Sequence, residues 1–321
     1  MPLTVAVTGP TGDIGRALLR ALDADPEVGR VLGMARRPFD PGQFGLTKTE
    51  YRQGDVLDRD AVQALADEAD VLVHLAFIIV GGREETRSVN LEGSRNVFEA
   101  AAGSVRRLVY TSSVAAYGFH ADNPQPLTED VPARGTDAHY YSAQKAELEE
   151  TLREALADAD VEAYVFRPCI VAGGDALALV RSFPAPMRKL PVAKPVLPDP
   201  GTPFQLVHTE DVATALAAAV RGDGPPGVYN LAGDGTIHVS DLARAFGWLS
   251  VPAPKAGLDA IAEILGRIPL MPPQASWINA FRVPVVMDTT RARTQLKWEP
   301  AFDTLNTLED TVASARDEGL L

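Results

Sequence analysis

Tyr141 and Lys145 stand four residues apart in the segment Tyr141-Ser142-Ala143-Gln144-Lys145. In a helix, this spacing places two side chains one turn apart on the same face. A phenol has an ordinary pKa of about 10, too high for proton transfer at neutral pH, and a neighbouring ammonium group lowers that pKa. The spacing therefore predicts that Tyr141 exchanges a proton with a substrate and that Lys145 assists it. Tyr140 has no lysine four residues on and is predicted to be a bystander. The alternative is that all three belong to an ordinary amphipathic helix.

Three hydroxyl side chains follow one another at Thr111-Ser112-Ser113, where a predicted strand ends. Parallel sheets bind ligands at the carboxyl ends of their strands, so one of these groups is a candidate to hydrogen-bond a substrate oxygen. For Ser112, the alternative is a bond to the backbone at the strand end.

Three glycines, Gly9, Gly12 and Gly15, recur at intervals of three directly after the first predicted strand. In a dinucleotide-binding turn the first glycine permits the tight bend, the second lets a pyrophosphate approach the backbone, and the third lets helix and strand pack closely. The helix that follows offers free N–H groups to the anion. The predicted cofactor-binding residues of this turn are Gly9, Thr11, Gly12, Asp13, Ile14 and Gly15. An ordinary glycine turn is the alternative.

The end of the second predicted strand reads Gly33-Met34-Ala35-Arg36-Arg37-Pro38. An acidic residue there binds the ribose of NAD, whereas arginine suits the extra phosphate of NADP. No acid is present, so the sequence favours NADP(H) over NAD(H), with Arg36 and Arg37 as ligands. Solvated surface arginines are the alternative. After the third strand, Asp55 and Val56 are expected beside the adenine, although a turn or helix-cap role explains Asp55 equally well.

Short β-branched runs alternate with helical stretches through the first half of the chain. The predicted strands are Leu3–Thr8, Arg30–Ala35, Tyr51–Gly54, Val71–Ala76, Arg107–Ser112, Glu162–Arg167, Phe204–Val207 and Gly227–Leu231. The predicted helices are Asp13–Asp23, Asp60–Glu68, Glu84–Ala102, Ala138–Ala157, Asp211–Arg221, Leu242–Phe246, Leu258–Leu265 and Thr304–Ala315. Strands that are apolar on both faces and alternate with helices predict an α/β protein with a Rossmann-type, doubly wound parallel sheet.

A proline-rich stretch from Phe183 to Pro203 interrupts this alternation. We therefore predict that residues 1–167 plus 204–235 form the dinucleotide-binding domain. Residues 168–203 plus 236–321 are predicted to form a smaller substrate-binding portion, with the chain crossing between the two. Two segments rich in apolar residues and proline, Phe183–Val196 and Leu258–Phe281, are expected to pack this portion or to line a hydrophobic pocket.

The composition excludes several classes of protein. The 321 residues carry 30 Lys+Arg against 43 Asp+Glu, a net charge of −13, which disfavours binding to nucleic acid or to anionic membranes. A single cysteine, Cys169, allows no internal disulfide, and no signal peptide or membrane-spanning run is recognised, so we expect a cytoplasmic protein. The five histidines lack metal-ligand spacing, so no metal is expected.

Taken together, these motifs resemble an extended short-chain dehydrogenase/reductase, the branch that includes NAD-dependent sugar epimerases and dehydratases. The resemblance runs along essentially the whole chain. It is carried by the glycine turn, Thr111 to Gly118, Tyr141 to Lys145, His74-Leu75-Ala76, Asn90-x-x-Gly93, Arg167-Pro168, Val207-His208-x-x-Asp211-Val212, Tyr229 to Gly233 and Leu296 to Pro300. Asp211 also stands at a predicted helix start, where it would be an N-terminal cap.

The resemblance implies roles for further residues. It identifies Ser113, four residues before Tyr117, as the catalytic serine, and it places Lys145 on the nicotinamide ribose. Asn90 and His74 would support the cofactor or the site, with a hydrogen-bonded core histidine as the alternative for His74. The remaining implied cofactor contacts are Leu75, Ala76, Arg167 and Pro168, and the implied substrate contacts are Phe77, Ile78, Ser113 and Tyr117. Relatives often form homodimers through the helices predicted at Glu84–Ala102 and Ala138–Ala157.

Three functions stay open at this point. The first is an NADP-dependent carbonyl reductase or alcohol dehydrogenase for a small, partly apolar molecule, favoured by the arginine pair and by the apolar run after the fourth strand. The second is a nucleotide-sugar epimerase or dehydratase with tightly retained NAD. The third is a sensor or scaffold that binds NADPH without turnover, which the presence of Ser113, Tyr141 and Lys145 disfavours.

Overall fold

The computed structural model describes residues 1–79, 86–137, 139–181, 194–253 and 283–321. The strands in chain order are β1 (Leu3–Thr8), β2 (Val28–Ala35), β3 (Thr49–Gln53), β4 (Val71–His74), β5 (Arg107–Thr111), β6 (Glu162–Pro168), β7 (Ile170–Ala172), β8 (Val196–Asp199), β9 (Leu206–His208), β10 (Gly227–Leu231) and β11 (Leu249–Pro252). The helices are α1 (Asp13–Ala24), α2 (Arg59–Asp67), α3 (Gly93–Ser104), α4 (Tyr140–Ala155), α5 (Ala178–Arg181), α6 (Thr209–Arg221), α7 (Val239–Ala245), α8 (Thr290–Gln295) and α9 (Thr304–Asp317).

Seven of these strands form one parallel sheet in the order β10-β6-β5-β4-β1-β2-β3. The chain runs outward from β1 to β3 and then returns to place β4 on the other side of β1. This reversal creates a crevice at the carboxyl ends of β1 and β4, where doubly wound folds bind their ligands. The fold class predicted from the alternation of strands and helices is therefore confirmed.

Apolar side chains cover both faces of the sheet. One buried cluster joins it to α1 and α6, and includes Leu18, Leu22 and Leu216. The other joins it to α2, α3 and α4, and includes Phe98 and Leu148. Each fully buried leucine or phenylalanine contributes roughly 1.5–3 kcal/mol relative to exposure, so both faces hold the strand ends firmly in place.

A third buried cluster belongs to the later part of the chain. It collects Leu177, Phe204, Ile237, Leu242 and Leu308. Phe204 was predicted to belong to the dinucleotide-binding domain, the other four to the smaller portion, and the division into two domains stays a prediction. In the described ranges, no helix is both long and apolar enough to cross a membrane.

Three predicted elements differ from the structure or fall outside it. The helix predicted from Glu84 contains a π-helical turn, Ser88–Glu92, directly before α3. The strand predicted at Phe204–Val207 is β9, which pairs with β7 outside the main sheet, whereas Phe204 exchanges two backbone hydrogen bonds of 2.9 Å with Ile237. The helix predicted at Leu258–Leu265 lies outside the described residues.

Candidate active site

Four segments meet at the carboxyl edge of the sheet. They are the glycine turn after β1, the loop from Leu75 to Ile79 after β4, the hydroxyl segment at the end of β5, and the first two turns of α4. Parallel pairing of β1 with β4 and of β4 with β5 brings these strand ends side by side. Residues that are far apart in the sequence are therefore neighbours here.

Two of the three glycines are required by the packing of the turn itself. Gly9 has a φ of +79°, and a Cβ there would lie 2.7 Å from the backbone nitrogen of Ala76. A Cβ on Gly15 would lie 2.5 Å from the carbonyl oxygen of Gly9. Since real Cβ atoms do not approach backbone so closely, larger residues at Gly9 and Gly15 would force the turn and α1 apart.

Gly12 is different, because nothing in the folded chain crowds it. Its φ of −78° and ψ of 172° suit any residue, and a Cβ there would have no neighbour closer than 3.5 Å. Gly12 is also the N-cap of α1 and supplies no side-chain cap, so the first N–H groups of the helix lack that partner. An open backbone cradle at an uncapped helix N-terminus fits the pyrophosphate of a dinucleotide.

Asp13 follows in the first turn of α1 and forms an ion pair with Arg16 at 3.1 Å. Burial raises the pKa of Asp13, and the neighbouring Arg16 opposes that rise. Arg16 also donates to the carbonyl oxygen of Thr11 at 3.2 Å. The side chain of Asp13 thus braces the turn, which leaves its backbone N–H and that of Ile14 as the predicted anion contacts.

Arg36 and Arg37 lie exposed at the end of β2. Within the described residues, neither guanidinium group forms an ion pair or a side-chain hydrogen bond. Their backbone is held in place, since Tyr51 donates to the carbonyl oxygen of Arg37 and Gln53 donates to that of Arg36 at 2.9 Å. The structure therefore places two exposed cations on a fixed backbone at the end of β2.

Asp55 is a turn aspartate, as one of the two interpretations predicted. Its Oδ1 accepts a hydrogen bond from the backbone of Leu57 at 3.1 Å, and the N-cap of α2 is Asp58. Val56 is buried, and its carbonyl oxygen accepts from Asn96 at 3.0 Å. Contact between Asp55 or Val56 and an adenine stays a prediction.

Tyr141 and Ser113 lie together, as the sequence predicted. Both side chains are buried, and the hydroxyl group of Ser113 is close enough to that of Tyr141 to influence its pKa. Burial raises the pKa of Tyr141 to about 12, and the hydroxyl group of Ser113 partly opposes the rise. Ser113 also caps a short 3-10 helix by accepting from Ala115 at 3.2 Å, so its hydroxyl group has a fixed position.

Lys145 lies close by but does not have the expected electrostatic effect. Its Nζ donates to the carbonyl oxygen of Thr111 at 2.9 Å and lies 4.0 Å from the ring centroid of Phe77. Burial lowers the pKa of Lys145 to about 7, while Glu149 raises it. The prediction that Lys145 lowers the pKa of Tyr141 is therefore wrong for the protein alone, because burial dominates both groups.

Phe77 lines the site, as the resemblance implied for a substrate contact. Its ring meets that of Tyr141 edge to face, with the centroids 5.4 Å apart, and also covers Lys145. Tyr140 points the other way and donates to the carbonyl oxygen of Ile79 at 2.5 Å. Tyr140 thus holds the loop after β4, which suits a bystander.

Asn90 supports this loop through its whole side chain. The Oδ1 atom accepts from the backbone nitrogen of Ile78 at 2.8 Å. The Nδ2 atom donates to the carbonyl oxygen of Ile78 at 3.0 Å and to Gln144 at 2.9 Å. Both Nδ2 hydrogens of Asn90 are thus used within the protein, so the structure gives this side chain a supporting role, and its contact with the cofactor stays a prediction. Leu75 and Ala76 lie in the same loop against Gly9.

His74 is a hydrogen-bonded core histidine, the alternative interpretation. Its Nδ1 is 2.7 Å from the hydroxyl group of Thr8, and its Nε2 is 2.8 Å from that of Ser94. Burial lowers the pKa of His74 to about 3, and nearby Lys145 adds to that effect. The neutral ring therefore ties the end of β1 to β4 and α3.

Two residues with implied ligand contacts are buried in the core. Arg167 is 4% exposed and forms a bidentate ion pair with Glu149. Tyr117 is fully buried and donates to Asn230 at 2.7 Å. Both side chains therefore have partners inside the protein, and the implied contacts of Arg167 with the cofactor and of Tyr117 with the substrate stay predictions. Pro168 ends β6 in a buried position, and its cofactor contact stays a prediction.

Two carboxylates, Glu149 and Asp211, form contacts that were not predicted from the sequence. Glu149 stands four residues after Lys145, a spacing that already placed it on the same face of α4. Asp211 is not a cap, since His208 caps α6. Asp211 instead accepts from the backbone nitrogens of Ala301 and Phe302 at 2.7 and 3.1 Å. No periodicity signals a contact across such a distance in sequence.

In the described ranges, no group of three histidine, cysteine or acidic side chains is arranged to hold a metal.

Comparison with protein families gives a match to the NAD dependent epimerase/dehydratase family over residues 5–232. The chain is 29% identical over 309 residues to a ceramide reductase of Caulobacter vibrioides, covering 92% of this chain and 86% of that protein. It is 26% identical over 322 residues to an uncharacterised protein of Mycobacterium tuberculosis, covering 96% and 83% of the two chains.

Among solved structures, the UDP-glucuronic acid 4-epimerase of Bacillus cereus in complex with NAD has a similar fold. It superposes with a TM-score of 0.76 at 16% identity, over 98% of this chain and 99% of that chain. At this identity the likeness concerns the fold, which includes the strand–turn–helix unit described above.

Proposed function

Because the chain belongs to the NAD-dependent epimerase/dehydratase family and is accordingly an oxidoreductase or an epimerase, we propose that it is an NADP(H)-dependent oxidoreductase. It interconverts a carbonyl and a hydroxyl group on a small, partly apolar molecule. The observation that carries this proposal is the buried group of Ser113, Tyr141 and Lys145 at the edge of the sheet that also holds the open glycine turn.

The preference for NADP(H) rests on the end of β2. Arginine binds phosphate through two parallel hydrogen bonds, and the two guanidinium groups of Arg36 and Arg37 are exposed. Within the described residues, they have no carboxylate partner that a phosphate would have to displace. No acidic side chain stands at this strand end to select the ribose hydroxyls of NAD.

The substrate class rests on the loop after β4. Phe77 presents an aromatic ring to the proposed proton donor, and Ile78 follows it on a backbone that Asn90 fixes. Apolar walls beside the reacting atoms suit a partly apolar substrate. The similarity to a ceramide reductase along most of the chain supports the same class. The apolar segments predicted to enclose the substrate, Phe183–Val196 and Leu258–Phe281, lie almost wholly outside the described residues.

The mechanism follows from the positions of three side chains. A bound nicotinamide dinucleotide supplies or accepts the hydride. Tyr141 has a pKa of about 12, so it holds its proton at neutral pH and is ready to donate it to the substrate oxygen. Ser113 stabilises the charge that develops on that oxygen. The protonated resting state of Tyr141 suits the start of the reductive direction, in which this residue is the acid, whereas oxidation would first require its phenolate.

Calorimetric titration of the cofactor-stripped protein with NADPH and with NADH tests the cofactor assignment. We expect NADPH to bind about tenfold or more tightly, which corresponds to roughly 1.4 kcal/mol. The double variant Arg36→Ala/Arg37→Ala should lose this preference and keep its affinity for NADH. A matched control is Arg153→Ala, which removes an exposed arginine that is paired with Glu150 on α4.

Two results would contradict the proposal. Tighter binding of NADH, with NAD retained through purification and no net oxidation of reduced cofactor, would favour an epimerase or dehydratase. Tight NADPH binding without turnover of any carbonyl compound tested would favour a sensor.

A further inference from the structure

A buried carboxylate, Glu149, lies on α4 one turn beyond Lys145, and the proposed mechanism does not use it. Its Oε1 accepts hydrogen bonds from the hydroxyl group of Ser112 at 2.6 Å and from Nε of Arg167 at 2.9 Å. Its Oε2 accepts from Nη2 of Arg167 at 2.5 Å. The side chains of Arg167 and Glu149 are 4% and 11% exposed. Glu149 is therefore held from two strands at once.

Arg167 has little freedom to move. Its guanidinium group lies 4.3 Å from the ring centroid of Tyr117, and Nη1 donates to the carbonyl oxygen of Val131 at 3.2 Å. Tyr117 is in turn anchored to Asn230 on β10. The carboxylate of Glu149 is thus fixed relative to the sheet.

Stability alone is a poor reason for such a pair. Two charges lose their hydration on burial, and a buried ion pair is often no more stabilising than apolar residues of the same volume. The surrounding helix and sheet already form an apolar cluster that includes Leu148 and Leu152. A charged pair retained in this position points to a task that apolar residues cannot perform.

Two features of its position connect the pair to the proposed reaction. Glu149 and Lys145 are four residues apart on one helix, so their side chains lie on the same face. Ser112, which donates to Glu149, directly precedes Ser113. The carboxylate therefore acts both on the charge of the lysine and on the strand end that carries the serine.

We propose that Glu149, fixed by Arg167, is a positioning residue that keeps the buried Lys145 side chain charged and orients the strand end bearing Ser113. This inference rests on the proposed function, because it gives Lys145 and Ser113 their parts in catalysis.

The groups facing Lys145 agree with this role. Tyr141 and Glu149 face it from α4, Tyr110 from β5 at 3.4 Å, and His74 from β4. Burial lowers the pKa of Lys145, and Glu149 opposes the effect. His74 has a pKa of about 3 and is therefore neutral at higher pH. Arg167, on β6, forms its ion pair with Glu149.

The test measures the pKa of Lys145 in the full-length, cofactor-free protein by NMR titration of ¹³C-labelled lysine side chains. The chain has six lysines, so the spectrum is simple, and Lys145→Met assigns the signal. In Glu149→Gln we expect the pKa of Lys145 to fall by about one unit, because an opposite charge is removed. In Arg167→Gln we expect it to rise, since the carboxylate is then left without its cationic partner.

The opposite signs are the decisive feature. Both substitutions break the same ion pair, so a purely structural role would disturb Lys145 similarly in both variants. Shifts of the same sign, or an unchanged pKa in Glu149→Gln, would overturn the inference. Each single substitution leaves one largely buried charge without its partner, so each single variant is at risk of unfolding. The double variant Glu149→Gln/Arg167→Gln then replaces a variant that does not fold, with an expected fall smaller than that expected for Glu149→Gln.

A second readout links the charge to turnover. In Glu149→Gln, the pH dependence of kcat/KM should move to lower pH by the same amount as the pKa of Lys145. A shifted lysine with an unmoved pH profile would overturn the positioning role. The proposed function is tested separately by Tyr141→Phe, so loss of activity there with an unshifted Lys145 in Glu149→Gln would remove this inference alone.

Discussion

The side chain of Lys145 is 2% exposed, and an ammonium ion in such a place has given up its hydration. One carbonyl oxygen, that of Thr111, and the face of Phe77 replace only part of what water supplied. Tyr141 has the opposite problem, because burial favours its neutral form. The two groups therefore depend on their surroundings for the protonation states that the proposed chemistry requires.

The burial of Lys145 predicts a stability that depends on pH. The folded pKa of about 7 is below the ordinary 10.5, so between these values the unfolded chain binds the proton and the folded chain does not. Wild-type stability should therefore rise with pH through this window. Lys145→Met should be more stable than wild type by about 2 kcal/mol below pH 7, after allowing for the lost bond to Thr111.

Urea unfolding at a series of pH values measures this difference. The advantage of Lys145→Met should shrink as pH rises above 7, by up to about 1.4 kcal/mol per pH unit. Lys297→Met is the control, because that lysine is exposed. A constant difference between Lys145→Met and wild type across the window would contradict a depressed lysine pKa.

At the scale of single residues, the sequence predicted which groups lie together better than it predicted which partners surround them. The four-residue spacing predicted that Tyr141 and Lys145 lie on one face of a helix. The position of Ser113 at a strand end predicted that it lies near them. Asn90 and Arg167 were assigned to the cofactor, whereas partners from distant parts of the chain take up their hydrogen bonds. A residue type shows what a side chain can bind, but only the fold shows what it does bind.

At the scale of elements, the strand–turn–helix unit of β1 and α1 separates two uses of glycine. At Gly15 the turn leaves no room for a Cβ atom. At Gly12 the folded chain has room for one, so packing does not explain the glycine there. The first is a requirement of packing. The second is explained by a ligand that approaches the backbone at the helix N-terminus.

This distinction predicts different outcomes for two alanine substitutions. Gly12→Ala should leave the free energy of unfolding within about 0.5 kcal/mol of wild type and weaken NADPH binding by about tenfold or more. Gly15→Ala should lower the free energy of unfolding by several kcal/mol, on the order of the cost of overpacking a core. Thermal unfolding and calorimetric titration of both variants measure the two effects. Equal loss of stability in the two would contradict the separate roles of the glycines.

Elements with a clear apolar period were placed to within a few residues of their bounds, as with β1 and α6. The π-helical turn at Ser88–Glu92 was not foreseen, because it keeps the same apolar pattern as an α-helix over so few residues. The pairing of β9 with β7 was missed as well. Pairing partners depend on where the chain returns, which local sequence does not encode.

At the scale of the whole molecule, distant segments hold the sheet edge from outside. Asp211, at the start of α6, binds the backbone at Ala301 and Phe302, and Trp298 donates to the carbonyl oxygen of Asp211 at 2.9 Å. Asn230 connects β10 to Tyr117. The C-terminal part of the chain is thus attached to the same framework that positions Arg167 and Glu149.

The most direct test of the proposed oxidoreductase activity is turnover. The rate of NADPH oxidation with decanal as an apolar carbonyl probe is measured for wild type, Tyr141→Phe and Tyr140→Phe. Tyr141→Phe removes the proton donor and leaves the ring packed against Phe77, so its kcat should fall by about 10²–10⁴-fold with NADPH affinity unchanged. Tyr140→Phe should stay within about threefold of wild type, since a small effect is expected from a bond to a loop carbonyl. A Tyr141→Phe variant that turns over at the wild-type rate, or a wild-type protein that oxidises no NADPH with the probe, would contradict the account.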